Sequence, residues 1–350
     1  MQRAGQTSAD PTQTAPDAGG STTPELRKGP ERAAAWARLV TTHPDALGAL
    51  WGDRCSRGYE QLAPGFWQVT AEVGHIGETV VFREGVSTTT GVWVTFEEPA
   101  YACMLPVRGC GGGRFFGEEV GESSVLTLEP GVDLWGVLPE GAEYTGVVLP
   151  KALLLRHARS MRLAEESHLS DLPRILELPA HRTEAVRNLC LSVLADLARR
   201  PSEHPMADAI RRIEEHVSCL VTIALLGRAG VRGVGRPRAS YGRITLRARD
   251  YVMSHPGDAP GLTELCEYLH VGVRTLNYAF HRSVGVSAAE YLRLVRLNRA
   301  RVDLLASRGN PDARVAVIAS RWGFWNASLF GRQYRELFGE LPSATLGRTS

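Results

Sequence analysis

The sequence predicts an α+β protein in two parts: a strand-rich N-terminal domain with flanking helices, then an all-α C-terminal domain. Three observations carry this. Short alternating segments punctuated by Gly and Pro run from about Phe66 to Leu149. Helical apolar stripes take over after Pro150. Two similar segments then recur about fifty residues apart in the C-terminal third.

A chain of 350 residues is long enough for two domains, and its 43% hydrophobic content is that of an ordinary globular protein. The formal net charge of +2 hides an uneven distribution. Arg236 to Ser350 holds 17 Arg, no Lys and 9 Asp or Glu, a net +8 that leaves −6 for the rest. A basic module on a mildly acidic body points to a polyanion partner. The cysteines Cys55, Cys103, Cys110, Cys190, Cys219 and Cys266 form no C-x-x-C pair. Scattered so, they fit reduced thiols in a cytoplasmic protein. "MQRAGQTSADPTQTAP" lacks the apolar core of a signal peptide, and "CLVTIALLG" is too short to span a bilayer. The expectation is a soluble, cytoplasmic protein with no membrane partner.

In chain order, residues 1–30 are rich in Thr, Ala, Gly, Pro and Gln and read as a disordered tail. "ERAAAWARLV" reads as a short helix. In "FWQVTAEV", Trp67, Val69, Ala71 and Val73 alternate with Gln68, Thr70 and Glu72, the period of a half-buried strand. "TVVFRE", "GVWVTFEE", "SSVLTLEP" and "YTGVVLP" continue the pattern, as in a small barrel or sandwich. Val186, Leu189, Cys190, Val193, Leu194 and Leu197 make one helical stripe; Ile210, Ile213, Val217, Leu220, Val221 and Ala224 make a second. Both suit core packing first and a second subunit next. "GRAGVRGVGRPRASYGR" has no apolar period, so residues 228–240 read as a linker between domains at 31–227 and 241–347.

The repeat pairs "LTELCEYLHVGVRTLNYAFHRSVGVSAAEYL" with "VAVIASRWGFWNASLFGRQYRELFGELPSATL". Cys266 matches Ala319, His270 matches Gly323, Leu276 and Phe280 match Phe330 and Tyr334, and Gly285 matches Gly339. Each copy has the logic of a helix-turn-helix. The small residue permits close helix approach. Gly323 and His270 suit a left-handed turn, where Gly is free and His is tolerated. Gly272 and Asn326 suit the N-caps of the second helices. Trp322, Phe324, Phe330, Tyr334 and Phe338 read as core. The outward, groove-facing set is Arg274, Thr275, Asn277, Tyr278 and His281 in the first copy. In the second it is Asn326, Ala327, Ser328, Arg332 and Arg335. Arg332 suits a bidentate guanine contact, Asn277 an adenine and Arg335 a phosphate. Trp325 suits either a sugar or thymine-methyl contact or local packing. The partner expected for this face is double-stranded DNA.

Signals for catalysis are missing. There is no H-x-H with a following Glu, and His75 alone makes no metal site. "GCGGGRFFG" lacks the Lys-Ser or Lys-Thr of a phosphate loop and reads as a strand-to-strand loop. "GESSV" is no nucleophile elbow. No catalytic residue, metal or enzyme activity is expected. The aromatics Phe66, Trp67, Phe82, Trp93, Phe96, Phe115, Phe116 and Trp135 suit either a ligand pocket or a core.

In "GVRTLNYAF", "RLNRAR" and "WGFWNASLFGRQYRELFGELP" the chain resembles the AraC-type transcriptional regulators over Tyr241 to Leu346. Gly272 stands where that family often has Ser. The resemblance implies a DNA-binding domain with two helix-turn-helix motifs and an N-terminal effector or dimerisation domain built on a cupin-like barrel. It also implies RNA polymerase as a partner, a homodimer and activation in response to a small effector. "YEQLAPGFW", "VVFREG", "YTGVVLP", "RARDYV", "LCEYLHV", "LNYAFH" and "WGFWNASLF" further resemble the ethanolamine-utilisation operon regulators within that family. That narrower likeness implies ethanolamine and adenosylcobalamin as effectors, although the chain has no D-x-H-x-x-G cobalamin motif. It marks no effector-binding residues. The alternative it leaves is the same fold governing another catabolic operon with a different effector.

Overall fold

The computed structural model describes residues 35–347, apart from 52–54, 97–99, 165–168, 170–171, 200–206, 228–230, 234–238 and 256–259. The expected tail at 1–30 and most of the expected linker lie outside the described residues.

The N-terminal part opens with a strand, not a helix. β1 (Ala35–Thr41) pairs antiparallel with β3 along its whole length, from Ala35 opposite His75 to Thr41 opposite Val69. Ala and Arg favour a helix locally, but pairing lets Ala37 and Leu39 face one core while Trp36 faces another. Tertiary packing overrides the propensity. After a 3₁₀ turn come α1 (Gly48–Trp51), β2 (Cys55–Gln61), β3 (Val69–Ile76), β4 (Thr79–Val86), β5 (Thr90–Phe96) and β6 (Ala100–Arg108). β7 (Gly113–Phe115) and β8 (Glu118–Val120) form a short hairpin. β9 (Ser124–Leu128), β10 (Leu134–Leu138) and β11 (Glu143–Pro150) complete the strand-rich run. Helices α2 (Lys151–Ser160), α3 (Ala180–Arg199) and α4 (Ala207–Leu226) follow, with β12 (Ile175–Glu177) before α3 and β13 (Arg232–Gly233) after α4. β13 pairs with β12, so Arg232 and Gly233, placed in the linker by sequence, belong to a sheet edge.

The strands make two sheets and do not close into one barrel. One sheet runs β1-β3-β4-β11-β6-β9-β12-β13 and the other β2-β5-β10-β7-β8. Trp51, Tyr59, Trp67, Phe82, Phe115 and Tyr144 pack between them. Within this core the Arg57 guanidinium pairs with Glu84, lies 4.2 Å over the Trp51 ring and shares Glu84 with the Tyr59 hydroxyl. Helix α3 covers the far face of the larger sheet through Val186, Cys190 and Leu194, with α4 packed against it and α2 against α4 and the sheet. The α3 stripe is therefore core, as its period suggests.

The far face of the smaller sheet is also covered. There the C-terminal helices dock: α5 (Ala239–Ser254), α6 (Leu262–Leu269), α7 (Val273–Ser283), α8 (Ala288–Ala306), α9 (Val315–Arg321), α10 (Ala327–Phe338) and α11 (Pro342–Thr345). Leu62, Trp135 and Val137 join the core of this helical domain, and Trp135 meets the Tyr291 ring edge-on at 6.4 Å. Trp93 lies flat against Gly58, where any Cβ would sit 2.2 Å from its indole nitrogen. Close approach of that kind is open only to glycine. Of the aromatics singled out by sequence, Trp67, Phe82, Phe115, Phe116 and Trp135 are buried, Trp93 lines the seam, and Phe66 is exposed. None of the six cysteines is in a disulfide. Among the described residues no helix is long and apolar enough to cross a membrane.

Candidate nucleic-acid interface

The two repeats fold alike because the same local chemistry recurs. Helix α6 ends at His270 in the left-handed region, φ 55°, and the α9 turn places Gly323 at φ 78°. Gly272 precedes α7 as its N-cap. Asn326 caps α10, its side-chain oxygen accepting from Leu329 N at 2.9 Å. That satisfies one of the donors a helix start leaves open. Leu276, Phe280, Phe330 and Tyr334 are fully buried, as their i,i+4 spacing requires.

Helix α8 holds the two motifs together. The Asn277 side-chain oxygen accepts from Ala288 N at the α8 start, and Ser287 caps the same helix through Glu290 N. At the other end Asp303 accepts from Trp322 Nε1 at 2.9 Å and pairs with Arg321. Arg301 pairs with Glu340, which also accepts from Thr345, itself the acceptor of the Tyr334 hydroxyl. A rigid spacer between two recognition helices suits entry into successive major grooves, ~34 Å apart on one face of a duplex.

The exposed residues fall on matching stripes. Arg274, Tyr278 and His281 are exposed on α7; Ser328, Arg332 and Arg335 are exposed at the equivalent positions of α10. Thr275, Asn326 and Ala327 are exposed beside them. Asn277 differs from its sequence reading. It is only partly exposed and its oxygen is committed to capping α8, which leaves the amide nitrogen alone for a base. A bidentate adenine contact needs both atoms. Nothing in its spacing from α8 signals this. Trp325 is 79% exposed, so local packing does not explain it.

The two faces are not equally open. Beside α7 stands the β7–β8 hairpin. Arg114 donates to the His281 carbonyl at 3.2 Å, and Glu118 lies 3.6 Å from Arg282. Tyr278, with Tyr241 edge-on at 5.0 Å, shares a niche with Phe116 and Gly117. Along the seam a cleft of about 480 Å³ is lined by residues of both domains, among them Glu60, Trp93, Asp133, Arg249 and Asn298. Among the described residues, no three His, Cys, Asp or Glu side chains gather as a metal site would need.

Comparison with known proteins agrees with this geometry. The family model described as "Helix-turn-helix domain" matches residues 265–348. The chain is 32% identical over 111 residues to the "Probable thc operon regulatory protein" of Rhodococcus erythropolis, spanning 31% of this chain and 33% of that protein's length. It is 30% identical over 266 residues to the "XylDLEGF operon transcriptional activator 1" of Pseudomonas putida, covering 71% of this chain and 75% of that one. Among solved structures it is similar to the AraC-like transcriptional activator CuxR, with a TM-score of 0.39 and 15% identity over 75% of this chain and 95% of that one. These relatives are regulators of transcription, not enzymes.

Proposed function

Because this chain belongs to the AraC family of transcriptional regulators, we propose that it binds a specific duplex site through both recognition helices and activates an operon in response to a small effector. The observation that carries this is the pair of matched exposed stripes, Arg274–Tyr278–His281 and Ser328–Arg332–Arg335, held by one capped and salt-bridged helix. Arginines at different heights on such a stripe divide the work. Those near the helix start reach base edges and those further along reach phosphate. The basic balance of the domain speeds encounter with DNA and makes affinity fall with salt.

The effector reading starts from the resemblance to ethanolamine-utilisation regulators. We take ethanolamine, with adenosylcobalamin, as the first effectors to try. The alternative is another small molecule and another catabolic operon, in keeping with relatives that are operon regulators. The N-terminal domain is the proposed effector and dimerisation unit, RNA polymerase the proposed partner at the promoter, and the cytoplasm the proposed compartment. An effector shifts the population only if it binds the DNA-competent arrangement better than the other.

Fluorescence anisotropy of the full-length protein on its own promoter DNA, at fixed salt, tests the reading. Binding that discriminates promoter from scrambled duplex supports the regulator; equal binding to both overturns it. Tightening by ethanolamine, adenosylcobalamin or both supports the effectors named. Specific binding indifferent to them replaces those effectors and keeps the regulator.

A further inference from the structure

The seam between the domains has a polar centre. Glu60 on β2 is 2% exposed. Its two carboxylate oxygens accept from Arg249 Nε on α5 and from the Tyr291 hydroxyl on α8, each at 2.7 Å. Next to it Asn298 of α8 accepts from Gln61 N and donates to Gln61 O, at 2.8 and 2.9 Å. The Gln61 side chain donates to the Leu337 carbonyl at the end of α10. One strand of the N-terminal domain thus grips the first helix of the C-terminal domain, the spacer helix and the second recognition helix.

A grip of this composition is reversible. A buried ion pair loses solvation that its mutual attraction repays only in part, and separation returns both partners to water. Arg249 Nη2 and Trp93 Nε1 have no protein hydrogen-bond partner, and the Arg249 guanidinium lies 4.7 Å over the Trp93 ring. On its N-terminal side the apolar share of the seam rests on Leu62, Trp93, Trp135 and Val137. Domains of one chain move relative to one another unless their interface is large and hydrophobic.

Docking also brings the β7–β8 hairpin, with Glu118 and Glu119, against α7. Glu118 lies 3.6 Å from the exposed Arg282, the neighbour of His281 on α7, and Tyr278 is half covered beside Gly117. α10 meets the N-terminal domain at its C-terminal end, where the Leu337 carbonyl accepts from Gly65 N and the Gln61 side chain. We propose that the seam is a reversible lock, in which β2 grips the helical domain so that the β7–β8 hairpin competes with duplex DNA for Tyr278 and Arg282, and whose opening releases the first recognition helix. The proposal rests on the DNA-binding reading above. It makes the second motif the first to engage DNA and the first motif the regulated one.

Two alterations of the full-length protein test it. Glu60→Gln keeps the volume and removes the buried charge, at a site too deep to touch DNA. It is expected to speed hydrogen exchange in residues 113–120 and in α7, and to tighten promoter binding at least threefold at fixed salt. Faster exchange with unchanged or weaker binding overturns the lock. The pair Gly117→Cys with Ser283→Cys tests the closed state. A Cβ at Gly117 would lie 3.5 Å from Ser283 Oγ, close enough to try a cross-link there, at the cost of a side chain at φ 84°. Oxidised, this protein is expected to bind promoter DNA at least fivefold more weakly than when reduced, with Gly117→Cys alone showing no redox effect. Equal affinity in both redox states overturns the lock, even where Glu60→Gln does not fold. Failure of the unaltered protein to prefer promoter DNA overturns the regulator reading instead.

Discussion

Arg332 and Arg335 sit three residues apart on one exposed stripe, and the proposed mode of DNA binding gives them different tasks. Arg332→Ala should weaken binding to the cognate site by ~1–3 kcal/mol and relax preference at one base pair. A competition series over single-base variants of the site checks this; equal loss on every sequence would reduce Arg332 to a phosphate contact. Arg335→Ala should lower the slope of log affinity against log salt by about 1, read from anisotropy at several salt concentrations. Trp325 makes a separate case. Its exposed ring contributes little to folding, so Trp325→Ala should leave the melting temperature nearly unchanged while weakening promoter binding several-fold. A fall in melting temperature with DNA binding intact would return this residue to packing. Outward-facing residues were legible in the sequence because helical period alone sorts them from Leu276, Phe280, Phe330 and Tyr334. The cap made by Asn277 was not, since its partner Ala288 lies on the next helix and the pairing depends on how the two helices cross.

Turns and strands set the next scale. Gly323 and His270 share one turn position, both left-handed, at φ 78° and 55°. A side chain there costs ~1–2 kcal/mol. Gly323→Ala should therefore destabilise by about 1 kcal/mol in urea unfolding, and His270→Gly should be neutral or slightly stabilising. The reverse order would mean that His270 makes contacts that outweigh its backbone strain. In the larger sheet, Glu143 of β11 is buried between Arg83 of β4 and Arg108 of β6. Burial alone would raise its carboxyl pKa, but hydrogen bonds and charge from the two arginines outweigh it and hold the value below the ordinary one. Such a depressed acid stabilises the fold above its unfolded pKa, and that contribution is lost as pH falls through the folded value, which lies below the ordinary one. Urea unfolding across acid pH should show Glu143→Gln with a flatter acid limb than the unaltered protein. These turns were legible because caps and left-handed positions are local. β1 and β2 were not. "ERAAAWARLV" has helical propensity that only pairing with β3 overrides, and "CSRGYEQ" hides a buried strand behind Arg57, Glu60 and Gln61, whose partners lie elsewhere in the chain.

For the whole molecule, a strand-rich N-terminal part and a helical C-terminal part could be read from the alternating period before Pro150, the charge balance and the C-terminal repeat. How the domains meet could not. The Glu60–Arg249 pair joins residues 189 positions apart, and Gln61–Asn298 joins residues 237 apart. Neither residue type is unusual where it stands. Of the barrel or sandwich expected, the strands form two facing sheets that do not close into one barrel, and the second sheet is covered by helices that sequence alone assigns to another domain.

The Asn298 side chain, clasping the backbone of Gln61, bears on how such proteins are inherited. Regulators that look modular invite recombination, one sensor half exchanged for another. Here a crossover within the linker would separate Arg249, Tyr291 and Asn298 from the strand that matches them. Grafting residues 239–347 onto a relative's N-terminal half should give a hybrid whose halves melt separately in calorimetry. Carrying across the β2 segment, Cys55–Gln61, as well should restore a joint transition. A graft that melts as one unit without β2 would show that the two halves are interchangeable parts; the expected result makes them a lineage-matched pair, free to drift in sequence only together.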